Sequence, residues 1–129
     1  MKGAGMSAEA DRLDREAEQC KREAQQLDDT AAFVLGTAIR MLDETTRLRQ
    51  QFRDAVGQTW IGPQATRFDG HNEKRLGRMN GNQSTFRAVA AHMGERVNWL
   101  RDQENQKRTQ AARLRDEERR NREAAARRH

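Results

Sequence analysis

The sequence predicts an all-α protein folded as an antiparallel hairpin of two long helices. Three observations carry that expectation: a composition poor in apolar residues and rich in helix formers, a seven-residue apolar grid on both halves, and a short Gly/Pro break between them. Of 129 residues, 34% are hydrophobic and 35% charged, with one proline and no tyrosine. That is little apolar material for a thick core. Alanine, arginine, glutamate, glutamine and leucine instead favour helix through their low rotamer cost.

The first helix is read from the grid. From Leu13 the residues Cys20, Leu27, Val34, Met41, Leu48 and Ala55 repeat every seven positions, with Ala17, Ala24, Ala31, Ala38, Thr45 and Phe52 four places on. This is the a/d pattern of a helix packed along one seam. Alanine on most of one register lets a neighbouring backbone approach closely. Residues 1–7 are expected to be disordered, with Ser7 as N-cap and Glu9 and Asp11 in the first turn. In mid-helix Phe33, Leu35, Ile39 and Leu42 widen the stripe beyond what one neighbour requires. A second contact face, as in a four-helix bundle completed by dimerisation, would use them.

Gly57 is expected to end this helix and Pro63 to open the next, because glycine suits the C-terminal reversal and proline the first helical turn. The connection, residues 58–62, is short enough to send the second helix back along the first. There the grid is looser: Ala65, Asn72, Met79, Phe86, Met93 and Leu100 on one register, Leu76, Gln83, Ala90 and Val97 on the other, and Phe68 near the turn. Gly70, Gly77 and Gly81 lead us to expect a kink or fraying between Asp69 and Asn82.

The expected hairpin spans residues 8–100, and its seam ends at Leu100, because Glu104 and Lys107 occupy the next positions. Residues 101–129, with ten Lys/Arg and six Asp/Glu, read as a charged basic helical tail projecting beyond the hairpin. Net charge is +5, divided as −2 over residues 1–64 and +7 over 65–129. Such polarity favours antiparallel pairing and an acidic partner.

Several function classes are disfavoured. His71, His92 and His129 lack companion ligands at a repeating spacing, and no serine sits in a nucleophile elbow, so no enzyme, metal site or cofactor is expected. Cys20 falls on the seam, where a small buried thiol is the simpler reading. Nucleic acid is disfavoured because acids interleave the tail and no aromatic follows Trp99; a coiled-coil adaptor or nucleic-acid-associated protein using the basic tail is the alternative reading. No apolar run long enough for membrane insertion and no h-region behind Lys2 are present, so synthesis in the cytoplasm without a cleaved signal is expected.

The turn reads Thr59-Trp60-Ile61-Gly62-Pro63-Gln64-Ala65, a Trp-x-Gly between two heptad helices. Over about residues 8–105 the chain resembles the WXG family of ESAT-like proteins, small substrates of type VII (ESX) secretion. The resemblance implies a hairpin that dimerises with itself or with a second WXG-like hairpin, export without a cleaved signal, and contact with a type VII secretion ATPase or other export component. Trp60, Gly62 and Pro63 would form the turn motif. Leu27, Val34, Leu35, Met41, Leu42, Leu48, Phe52, Phe68, Leu76, Met79, Phe86, Met93, Val97 and Leu100 would form the hairpin or dimer interface. The family's Tyr-x-x-x-Asp/Glu export signal has no counterpart in a chain without tyrosine; the stand-ins are Trp99 with Gln103, Leu100 with Glu104, and Leu114 with Glu118. The first helix starts earlier, and the basic tail runs longer, than the family pattern.

Overall fold

A computed structural model describes residues 2–59 and 62–128, with the side chains of residues 5–54, 62, 63 and 66–128. Helix α1 runs Lys2–Thr59 and helix α2 runs Pro63–Arg127, and no strand occurs among the described residues. The protein is an all-α helical hairpin. Trp60 and Ile61, the centre of the turn motif, lie outside the described residues.

The start of α2 follows from local chemistry. Gly62 has φ +123°, a backbone region that side chains with a Cβ rarely enter. Its carbonyl accepts the first helical hydrogen bond, from the Thr66 N–H at 3.1 Å, and a second from the Thr66 hydroxyl at 3.3 Å. Gly62 is therefore the N-cap and Pro63 the first helical residue, where its missing N–H has no partner to lose.

Four boundaries differ from the sequence reading. Residues 2–7, expected to be disordered, belong to α1, so Ser7 lies inside the helix instead of capping it. Gly57 does not end α1, which continues through Gln58 to Thr59. Asp69–Asn82 is continuous helix despite its three glycines. Each glycine costs only about 1 kcal/mol relative to alanine, and Leu76, 1% exposed, anchors the same stretch. Finally, residues 101–127 continue α2, and of the segment read as a projecting tail 101–118 pack on the start of α1.

The chain divides into two compact units, Met1–Asp28 with Gly94–His129, and Asp29–Met93. In the first, Ala10, Leu13 and Ala111 are buried together with Leu114 packed against them. A second cluster joins Ala24, Val97 and Leu100, flanked by Cys20 and Leu27. The buried Ala10, Ala17, Ala24 and Ala111 carry only a methyl group, which suits the close approach their register predicted. Partners run in opposite order along the two helices, Asp28 with Arg101 and Asp14 with Arg115, so the pairing is antiparallel.

The second unit buries Ala38 and Leu76 along with Thr45, Asn72 and Gln83. Val34, Met41, Leu48, Met79, Phe86 and Met93 are half-buried. Nearer the turn, Phe52 and Phe68 meet edge to face with centroids 5.9 Å apart, a favoured arrangement of ring quadrupoles. Arg49 of α1 and Glu73 of α2 approach to 3.9 Å.

Candidate interaction surfaces

Within unit 29–93, the seam and the exposed apolar residues occupy different lines along α1. Val34, Ala38, Met41 and Thr45 face α2, whereas Leu35, Ile39 and Leu42 repeat at the same four-then-three spacing one position later, which rotates them out of the seam. They are 43%, 46% and 36% exposed; Phe33, 70% exposed, is two positions before Leu35 and falls on a different side of the helix. Ala32 and Thr46 extend the line at either end. Scattered surface apolar groups need no explanation, but Leu35, Ile39 and Leu42 follow one another along one face of one helix and form an apolar line. Of the residues read as widening the stripe, Leu35, Ile39 and Leu42 share this face and Phe33 does not.

The predicted interface residues therefore fall into two groups. Leu76, Val97 and Leu100 are buried, and Leu27, Val34, Met41, Leu48, Phe52, Met79, Phe86 and Met93 are half-buried, all on hairpin seam positions. Leu35 and Leu42 take no part in the seam, and Phe68 is 39% exposed although its ring meets Phe52. The side chains of Ala55 and Ala65, also read as seam positions, lie outside those described.

Unit 1–28 with 94–129 presents a different surface, built from charge. Lys107 donates to Glu16 at 2.8 Å, Arg108 to Glu18 at 3.2 Å and Arg101 to Asp28 at 3.4 Å, while Arg115 reaches both Asp11, at 2.8 Å, and Asp14. In each pair the acid belongs to α1 and the base to α2. The hydrogen bond from Lys107 holds the Glu16 carboxyl below its usual value. The Arg115 guanidinium is held protonated even more firmly than usual by Asp14 and Asp11. Pairing also runs along α2 itself: Arg108 additionally meets Glu104, Arg119 meets Asp116, and Arg122 meets Glu118.

Sequence reasoning missed this outer seam. Its signal was present, since the three-four spacing runs on from Leu100 through Glu104, Lys107, Ala111, Leu114 and Glu118, of which Ala111 and Glu118 are buried. Polar residues at those positions looked like the end of the pattern. They are accommodated because Glu104 and Glu118 each meet an arginine one turn on and Lys107 meets Glu16.

Of the export-signal stand-ins, Leu100 is buried in the seam and Glu104 is engaged by Arg108, so neither is displayed. Trp99 is 47% exposed, with the Arg96 guanidinium 4.1 Å from its ring centre. That cation–π contact covers one indole face and leaves the remainder accessible. Among the described residues no group of three or more His, Cys, Asp or Glu stands close enough together to hold a metal ion. No helix among them is long and apolar enough to cross a membrane.

Set against known proteins, the chain matches no family model, no curated protein and no solved structure.

Proposed function

We propose that this chain is a non-enzymatic interaction protein of the WXG type, a substrate or co-secreted partner of a type VII (ESX) secretion system that works by docking its helices on a second hairpin. The observation that carries the reading is the apolar line Leu35, Ile39 and Leu42, left in solvent beside the intramolecular seam. Burying a side chain of this size is worth about 1.5–3 kcal/mol. A helix laid along that line recovers this stabilisation at successive turns. A second copy, or a different hairpin of the same kind, supplies such a helix.

The hairpin architecture, the Gly62-Pro63 start of α2 and the half-exposed Trp99 support the same reading. In it, Trp99 is a contact point for the partner or for an export component such as the secretion ATPase. The basic segment of α2 gives little support to a nucleic-acid role, because Arg101, Lys107, Arg108, Arg115, Arg119 and Arg122 already face carboxylates. A phosphate backbone would have to displace those acids.

Export supplies the functional test. Epitope-tagged chain is expressed in a host with a working type VII system and in a strain whose export ATPase is inactivated. The expected result is tagged protein in the medium of the first strain only. Equal amounts in both media, or none in either, contradict the proposal.

A further inference from the structure

The outer part of the unit formed by residues 1–28 and 94–129 has few large apolar groups in its seam. Ala10, Ala17 and Ala111 are buried, and Leu13, Leu114 and the half-buried Met6 are the large apolar side chains on those positions. Around them stand the cross-helix ion pairs, Glu16 with Lys107, Glu18 with Arg108, and Asp11 and Asp14 with Arg115. In each of these four pairings α1 supplies the carboxylate and α2 the cation. Pairs of the same polarity attract together and are screened together.

We propose that these pairs form an ionic latch, closing the terminal end of the hairpin at low salt and releasing it as ionic strength rises. Release separates the ends of α1 and α2 and presents Leu13 and Leu114 to a partner. The inference stands independently of the secretion reading, since it uses only the charges and the small seam.

Two magnitudes support a latch over a rigid clasp. One exposed pair shifts an equilibrium by at most about fivefold. Several pairs broken by the same opening motion multiply their effects, so the set outweighs any one of its members. The screening length falls from about 30 Å at 0.01 M salt to about 3 Å at 1 M, comparable with the separations here. Screening of Coulomb attraction therefore reaches every pair.

The test measures distances between spin labels in the full chain. One pair, on the exposed Ala8 and Glu117, reports the terminal end; a reference pair, on the exposed Thr46 and Lys74, reports unit 29–93. The expected result is a single short Ala8–Glu117 distance at low salt, a growing long-distance population at high salt, and a reference distance that stays fixed. Arg115→Asp should open the terminal pair at low salt, and adding Asp11→Arg and Asp14→Arg should restore closure. An Ala8–Glu117 distance insensitive to both salt and Arg115→Asp overturns the latch. So does a reference pair that lengthens in step, which would be general melting, or a charge exchange that fails to restore closure.

Discussion

Lys107 of α2 donates to Glu16 of α1 across 2.8 Å, from a seam position that would ordinarily hold an apolar side chain. Partial shelter, with the two side chains 27% and 39% exposed, makes this the most protected of the cross-helix pairs in its unit. The hydrogen bond from Lys107 lowers the Glu16 pKa. A carboxyl whose folded pKa is depressed contributes stability in full above its unfolded value, about 4.3, and loses it as pH falls through the lower folded value. Acid titration followed by circular dichroism should show Glu16→Gln less stable than the parent at neutral pH. The difference should vanish at pH values below the depressed folded pKa, where the parent's carboxyl is also neutral.

Gly62 should tolerate no side chain. Nothing lies within 4 Å of a Cβ built there, so the cost of Gly62→Ala comes from its φ of +123° alone. Such strain amounts to about 1–3 kcal/mol. Thermal denaturation should register a lower midpoint for Gly62→Ala, whereas an unchanged midpoint would show that the turn relaxes freely.

The glycines inside α2 should behave oppositely. Gly70, Gly77 and Gly81 have ordinary helical backbone and open space around a built Cβ. Replacing each with alanine should stabilise the hairpin by about 0.5–1 kcal/mol, through helix propensity and a less flexible unfolded chain. Urea denaturation of Gly77→Ala and Gly81→Ala checks this directly.

Asn72 carries a weakness of the seam in unit 29–93. It is 8% exposed, and its side-chain N–H group has no hydrogen-bond partner. A buried unpaired donor costs about 1–3 kcal/mol. Asn72→Leu should therefore raise stability by about 1 kcal/mol in urea denaturation, the larger side chain taking back part of the gain. Destabilisation would show that the site lacks room for it.

Much of the fold was legible from periodicity, because an alanine-rich heptad leaves few ways to bury Leu13, Ala17, Ala24 and Ala38 other than against another helix. The exposed line Leu35, Ile39 and Leu42 could be read in the same way, as apolar residues in excess of one seam. Element ends were less visible. Gly57 has the chemistry to end a helix, yet reversal falls beyond Thr59 and the positive φ sits at Gly62. The outer seam kept its spacing but was masked by Glu104, Lys107 and Glu118, and the pairing that accommodates Lys107 joins residues 91 positions apart.

Association through the exposed face of α1 is the claim on which the functional reading depends, and light scattering coupled to size exclusion tests it most directly. The parent chain should run at twice its single-chain mass and shift toward one chain on dilution, while Leu35→Asp/Ile39→Asp should remain a single chain at every concentration with its helical dichroism intact. A parent that stays at single-chain mass at the highest soluble concentration would contradict pairing with a second copy, and a double variant that associates as well as the parent would contradict the use of this face.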